Sequence, residues 1–248
     1  MDQVDVVLLT KNSEEVLAQC LESVYKSVPV RQLIVVDGHS TDKTLEILNV
    51  FNGVHGNIKI IYDNGTRATA RQKGIRNVET DWFIFVDSDV VLSKNWFQKA
   101  MKYVDKNVGA IWGIEVWSTI QKSTTLKMFL WITRKIFELR GGTHDTLVRL
   151  ESIKDIEIPN SLHVFEDAYI KEWITKKGYK IIACYDPYCI HYRPKNVWTL
   201  QGSLNIVMDA IRFGSFKLIV RLVLAYGFYT AYSMYQLLAS RMKRHQFR

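Results

Sequence analysis

Apolar residues in the first ninety positions gather into short β-branched runs separated by amphipathic stretches. Val4 to Leu9, Leu33 to Val36, Ile58 to Tyr62 and Trp82 to Val86 have the length and composition of buried strands, and the stretches between them read as helices. That alternation predicts a parallel, doubly wound α/β sheet flanked by helices. Two helix starts are legible, Asn12-Ser13 ahead of Glu14-Glu15, and Ser40-Thr41-Asp42 ahead of Leu45, Ile47 and Leu48. Both put polar loops at the carboxyl ends of strands, the edge where open α/β sheets bind ligands.

Past Asp89 the pattern loosens. It predicts a helix from about Lys94 to Val104, a strand near Val108 to Val116, an aromatic and basic helix from about Ser123 to Leu139, and a polar loop at Gly141-Gly142-Thr143-His144-Asp145. A helix from Phe165 to Lys177 closes on Gly178, a residue suited to the position after a helix, and Tyr179 to Cys184 reads as a strand. Leu222 to Ala239 contains no charged residue and is flanked by Lys217 and Arg221 before it and by Arg241, Lys243 and Arg244 after it. A bilayer span needs roughly twenty apolar residues, and this run is shorter and rich in tyrosine. It is therefore expected to lie at the interface or insert shallowly, a full span and an ordinary packed helix being the alternatives.

With 248 residues, 48% of them hydrophobic, the chain can bury a proper core. The expected organisation is one α/β domain over 1–195 and a basic, hydrophobic, membrane-associating helical segment over 196–248. The formal charge of +8 resides in that tail: from Arg193 onward nine Lys/Arg face one acid, Asp209, so that 1–192 is neutral. Such a tail suggests an anionic surface as partner, phospholipid or nucleic acid. Cys20, Cys184 and Cys189 are odd in number and lack C-x-x-C spacing, which indicates neither a disulfide framework nor a zinc site and suits a reducing compartment. The opening strand is too short and acidic for a signal peptide, so export by that route is not expected.

Candidate chemistry centres on Phe83-Ile84-Phe85-Val86-Asp87-Ser88-Asp89, a buried strand ending in acids at i and i+2. In extended backbone both carboxylates project to one side. Hard oxygen ligands of this kind suit Mg²⁺ or Mn²⁺, which could bridge them to a diphosphate. A second acid, Asp37, ends Leu33 to Val36 and precedes Gly38-His39-Ser40-Thr41-Asp42-Lys43-Thr44. An N-capped turn accounts for Ser40, Thr41 or Asp42, whereas Asp37 is left to hydrogen-bond a base or ribose.

Taken in order, these segments resemble a family 2 glycosyltransferase of the GT-A type. Leu9-Thr10-Lys11-Asn12 stands where the family has a Pro-Thr-Tyr-Asn-like turn, and Val36 to Thr44 where it has Val-Asp-Asp-Gly-Ser-Thr-Asp-Gly-Thr. Gly65, Ala70-Arg71-Gln72 and Gly74 match its Gly…Ala-Arg-Asn-x-Gly helix, Asp87-Ser88-Asp89 its Asp-x-Asp, and Phe165-Glu166-Asp167 its Glu-Asp motif. The resemblance covers roughly residues 3–195. It implies a Rossmann-like, mostly parallel sheet, a nucleoside-diphosphate sugar as donor, Mg²⁺ or Mn²⁺ as cofactor, and inversion at the anomeric carbon. Thr10, Asn12, Asp37, Arg71 and Asp87 resemble donor-binding positions. Asp89 resembles the principal metal ligand, with Asp87 beside it and His191 at a place where many such enzymes have a metal- or phosphate-contacting histidine; packing within a strand is the other reading of His191. Asp167 resembles the catalytic base and Glu166 a residue orienting the acceptor, an exchange of roles between them staying open.

The chain departs from the family pattern in places. Gly38 and His39 replace the usual Asp-Gly pair, Lys11 replaces a base-stacking aromatic residue, and no Gln-x-x-Arg-Trp follows the Glu-Asp motif, so transfer of a single sugar is expected. Arg149 falls where the family often has a basic residue for the acceptor or a phosphate. His144, a lone loop histidine, is expected to be solvated unless it touches substrate. The helix over 123–139 is either core or an acceptor-side wall against lipid. With the tail, it points to a lipid-linked or membrane acceptor at the cytoplasmic side of the cell membrane, and no nucleic acid is expected. Two other readings are a nucleotidyltransferase, which would show a glycine-rich basic loop after the first strand, and a membrane- or nucleic-acid-binding module with an inactive transferase-like domain. Such a module would not be expected to keep Asp37, Asp87, Asp89 and Asp167 together.

Overall fold

The computed structural model describes residues 3–117, 142–162 and 166–192, together with Met208, Ile211 and Arg212. The expected helix over 123–139 and the run over 222–239 lie outside these residues. Among the described residues no helix is long and apolar enough to cross a membrane.

The apolar runs become strands. β1 (Val4–Thr10), β2 (Val30–Asp37), β3 (Ile58–Tyr62) and β4 (Trp82–Asp87) alternate with helices α1 (Leu17–Ser27), α2 (Thr44–His55) and α3 (Arg67–Arg76). Val6, Leu8, Leu33, Val35, Ile84 and Val86 are buried in one core cluster with Leu17, Leu21 and Val24 of α1. Covering a sheet on both faces is what allows its strands to be continuously apolar. β3, whose residues are only partly buried, closes this side of the sheet.

β1 pairs in parallel with β2 and β4, and β2 with β3, in registers that set Thr10 beside Asp37, Asp37 beside Tyr62, and Leu9 beside Asp87. The carboxyl ends of four strands thus finish along one edge. α3 lies close over β1 because Gly74 has no side chain: a Cβ there would stand 2.3 Å from Val7 Cγ1. That approach fixes the depth at which Arg71, one turn earlier, enters the molecule.

After β4 come β5 (Val90–Leu92), α4 (Trp96–Met101), β6 (Val108–Trp117), β7 (Asp145–Arg149), α5 (Leu150–Ile153), α6 (Glu166–Lys176) and β8 (Lys180–His191). The sheet order is β3-β2-β1-β4-β7-β6-β8-β5. β7 is antiparallel to both β4 and β6, β6 is parallel to β8, and β5 is antiparallel to β8. The sheet is therefore parallel in its first half and mixed in its second. The expectation of a parallel, doubly wound sheet is corrected accordingly, four of the seven pairings being parallel, because Asp145 to Arg149, read in part as a loop, is a short buried strand threaded between β4 and β6.

Candidate active site

Two acids close β4. Asp87 is its last residue, and Asp89 follows Ser88, whose hydroxyl is hydrogen-bonded to that of Ser13 in the first loop at 2.8 Å. Pairing of β5 with β8 sets Val90 opposite His191. His191 Nε2 thereby lies 3.0 Å from Asp89 Oδ2.

Arg71 holds Asp87 from the helix side. Its side chain is 2% exposed, its Nη2 pairs with Asp87 Oδ1, and its guanidinium stands 5.0 Å from the centre of the Phe85 ring. Its Nε and Nη1 have no hydrogen-bond partner. Burial alone would raise the Asp87 pKa, but the charge and hydrogen bond of Arg71, with the charges of His144 and His191, outweigh it and hold the carboxyl at about 2. Asp87 is accordingly ionised throughout the physiological range.

Glu115, part of no motif recognised in the sequence, joins this group from β6. Its Oε1 lies 3.1 Å from His191 Nδ1 and its Oε2 lies 3.7 Å from His144 Nε2. Burial would lower the His191 pKa, yet the carboxylates of Asp89 and Glu115 on its two sides raise it to about 10. His144 is buried, which corrects the expectation of a solvated loop histidine. Its Nδ1 is 2.7 Å from Asp145 Oδ1, and Asp145 Oδ2 accepts a hydrogen bond from Trp96 Nε1 at 2.9 Å. Space for the Asp145 carboxylate exists because residue 113 is glycine: a Cβ at Gly113 would stand 1.8 Å from Oδ2.

A second acid pair opens α6. Glu166 is 5% exposed, and its Oε2 has no hydrogen-bond partner. Burial, then the charge of Asp167, raise its pKa to about 7 against the opposing pull of Arg71 and Arg67. Asp167 is half-buried, and its Oδ1 accepts a hydrogen bond from the Ala168 N–H at 2.7 Å. The segment ahead of α6 is tied to α3, since Ile158 N donates to Gln72 Oε1 at 2.9 Å and Thr66 Oγ1 donates to Asn160 O at 3.2 Å. α3 thus carries Arg71 and anchors the approach to α6.

The first two loops are cross-tied. Asn12, at φ 51, donates its backbone N–H to the Ser40 hydroxyl oxygen at 2.9 Å, and its side-chain oxygen accepts from Thr41 N at 2.9 Å. Asp42 Oδ2 accepts from Glu14 N at 3.1 Å, and Glu14 Oε2 accepts from Lys43 N at 2.9 Å. Asn12 and Glu14 therefore bind the opposite loop instead of capping their own helix, and α1 begins later than expected, at Leu17, whereas Asp42 also holds the start of α2 as expected, its Oδ1 accepting from Thr44 N at 3.0 Å. Asp37 is fully buried, and its two oxygens accept from Ser40 N at 2.9 Å and Ser40 Oγ at 2.6 Å. The turn thus engages both oxygens of Asp37. Thr10 Oγ1 is buried without a partner, at the same edge.

Arg149 is not at this edge. β7 runs antiparallel to β4, pairing Asp145 with Val86 but Arg149 with Trp82, so Arg149 sits at the opposite end of the strands. It donates to Val108 O and Asp105 O at 2.9 and 2.6 Å and lies 4.6 Å over the Trp82 ring, a strut in place of the expected acceptor contact.

Asp89 Oδ2 and His191 Nε2 stand side by side, while the Asp87 carboxylate, two residues away, is turned to Arg71, so that the three do not converge within 4.8 Å of one another; as mainly hard donors at a partly exposed edge their chemistry nevertheless suits Mg²⁺ or Mn²⁺. The 3.0 Å between His191 Nε2 and Asp89 Oδ2 also matches adjacent ligands on an octahedral ion with bonds of about 2.1 Å. Among the described residues, the group whose ligand atoms do lie within 4.8 Å of one another is His144, Asp145 and Cys189. They are buried, include a thiol whose pKa burial pushes well up, and are engaged with one another, so the first set suits a hard cation better.

The model of the family described as glycosyl transferase family 2 matches residues 5–151, more than half of the chain. The chain belongs to glycosyl transferase family 2. The chain is 25% identical over 239 residues to the poly(ribitol-phosphate) beta-glucosyltransferase of Bacillus spizizenii, a match that covers 85% of the chain and 37% of that relative. The chain therefore spans well under half the length of that protein. It is 33% identical over 91 residues, 34% of the chain and 28% of the relative, to a dolichyl N-acetyl-alpha-D-glucosaminyl phosphate 3-beta-D-2,3-diacetamido-2,3-dideoxy-beta-D-glucuronosyltransferase of Methanococcus voltae. In fold it is similar to the mannosyltransferase PcManGT of Pyrobaculum calidifontis, solved with GDP-Man and Mn²⁺, with a TM-score of 0.68 at 20% identity over 89% of this chain and 68% of that one.

Proposed function

We propose that this family 2 enzyme transfers a single sugar, with inversion, from a nucleoside-diphosphate sugar to a hydroxyl or phosphate acceptor that is lipid-linked and presented at the cytoplasmic face of a membrane. The observation that carries the reading is the arrangement around Arg71. This buried cation pairs with Asp87 of the Asp-x-Asp and acts electrostatically on Glu166 of the second acid pair, and two of its donors are unpartnered.

The roles follow from that arrangement. Thr10 Oγ1 and the cross-tied loop of Asn12 and Asp37 receive the nucleoside, and the idle Nε and Nη1 of Arg71 receive a donor oxygen. A Mg²⁺ or Mn²⁺ ion held by Asp87, Asp89 and His191 would offset the charge gathering on the departing diphosphate. Asp167 takes the acceptor proton while the acceptor oxygen bonds to the anomeric carbon from the face opposite the diphosphate. The bond from that carbon to the diphosphate oxygen breaks, and the nucleoside diphosphate leaves. Glu166, with a pKa of about 7, keeps a proton part of the time and orients a sugar hydroxyl.

Support for the lipid-linked acceptor comes from the dolichyl-phosphate-linked substrate in the name of the Methanococcus relative and from the uncharged run over 222–239 between basic flanks. Turnover of a panel of nucleotide sugars with Mn²⁺ or Mg²⁺ and membrane lipid extract tests the proposal, with Asp89→Ala and Asp167→Asn as controls. Consumption of one donor, abolished in both variants, is the expected result. If no donor is bound or consumed, the transferase reading fails and the binding-module alternative takes its place.

A further inference from the structure

Glu115 stands in β6 on the same face as Gly113, two residues earlier, and opposite Cys189 of β8, two residues before His191. The period of two along both strands turns Glu115 and His191 toward each other. Its contact to His191 Nδ1, at 3.1 Å, is at ion-pair distance though off the line of a good hydrogen bond. Its other oxygen faces His144, which Asp145 and the Trp96 indole hold from behind. Two glycines make the arrangement possible. Gly113 leaves room for the Asp145 carboxylate, and a Cβ at Gly142 would stand 2.7 Å from the His144 ring. The result is a braced arm running from the core to the ring of His191.

A histidine that ligates through one nitrogen has its orientation and tautomer set by whatever the other nitrogen meets. Here Nε2 is the nitrogen beside Asp89 and Nδ1 the nitrogen beside Glu115. We infer that Glu115 is a positioning residue, fixing His191 with its proton on Nδ1 so that Nε2 is presented, next to Asp89, to the divalent cation. This inference rests on the proposed metal-dependent transferase.

The test is a titration of Mn²⁺, followed by electron paramagnetic resonance, with saturating UDP or GDP, for wild type and the Glu115→Ala, Glu115→Asp and Glu115→Gln variants. Removing such a carboxylate lowers metal affinity by roughly 10- to 100-fold. Glu115→Ala is expected to show that loss. Glu115→Asp withdraws the carboxylate by about one bond length of 1.5 Å while keeping its charge, and is expected to behave like alanine. Glu115→Gln still offers a carbonyl oxygen to Nδ1–H and is expected to stay within about threefold of wild type. In turnover, the apparent KM for Mn²⁺ rises in the two weakened variants while kcat at saturating Mn²⁺ recovers, a split that general loosening of the fold would not give. Wild-type affinity in all three variants overturns the inference and leaves the transferase reading intact. Wild-type affinity in Glu115→Asp with weakened Glu115→Gln also overturns it, since charge and not orientation would then be what matters. Failure of wild type itself to bind Mn²⁺ with nucleotide counts against the metal-dependent reading beneath it. Should Glu115→Ala not fold, the aspartate and glutamine variants decide alone.

Discussion

Arg71→Met separates what a buried cation does for the fold from what it does for a ligand. Asp87 falls from 3.8 to about 2 in the folded protein, which corresponds to roughly 2 to 3 kcal/mol of favourable interaction. The Asp87 side chain is 31% exposed, so water replaces part of the guanidinium, and the loss is discounted to about 1 to 2 kcal/mol. Against this, two buried donors of Arg71 have no partner, and each such group costs about 1 to 3 kcal/mol. Methionine removes both and packs its thioether on Phe85. The net change in stability is therefore below about 2 kcal/mol, or a melting shift of a few degrees for a chain of this size. If the idle donors serve the donor substrate, two charge-assisted hydrogen bonds disappear, worth together about 3 to 6 kcal/mol, or roughly 10²- to 10⁴-fold in kcat/KM. Differential scanning calorimetry and steady-state kinetics measure the two sides. A variant that unfolds, or that loses more than about 4 kcal/mol while donor binding persists, would make Arg71 a scaffold strut and remove its assigned part in donor binding.

Three further outcomes follow from the same structure and sequence. Glu166 rises from 4.5 to about 7 on folding, so the native state holds the proton more tightly, and its contribution to stability is full below pH 4.5 and lost by roughly 3 kcal/mol as pH rises through 7. Glu166→Gln should flatten that part of the stability profile measured by urea denaturation; an unchanged profile contradicts the buried environment. Asp5 is fully buried and accepts from Arg31 Nε and Nη2 at 2.7 and 2.9 Å and from Glu79 N at 2.7 Å, so Asp5→Asn should cost about 3 to 5 kcal/mol. Because Asp5 lies at the opening end of β1, away from Asp87, the donor KM should not change. In the tail, replacing Arg241, Lys243 and Arg244 by serine should weaken flotation with phosphatidylserine vesicles on the order of 100-fold, at about 1 kcal/mol per charge; equal binding to neutral vesicles would count against an electrostatic role.

The first half of the fold was legible because parallel strands covered on both faces appear as uninterrupted apolar runs, and the acids that follow them stand out by contrast. β7 was not, since five residues beginning with a buried aspartate carry no periodicity, and only non-local pairing with β4 and β6 defines them. That omission also misplaced Arg149: counting along the chain from the glycine loop ignores that β7 carries it to the far end of the sheet. Glu115 belongs to no spaced motif. The available signal was a single acid in the apolar strand Val108 to Trp117, two residues after a glycine, and such an acid needs a partner. Asp37 illustrates another case, a motif residue whose carboxylate also holds the turn that carries it, through Ser40.

The anomeric configuration of the product, read by proton NMR during the first turnovers with the donor identified in the nucleotide-sugar panel, tests the proposed transfer most directly. A single-displacement site with Asp167 opposite the departing diphosphate predicts that an α-linked donor yields a β-linked product, with no inversion product formed by Asp167→Asn. An α-linked product would mean that configuration is retained, and would contradict the roles of Asp167 as base and Glu166 as orienting acid.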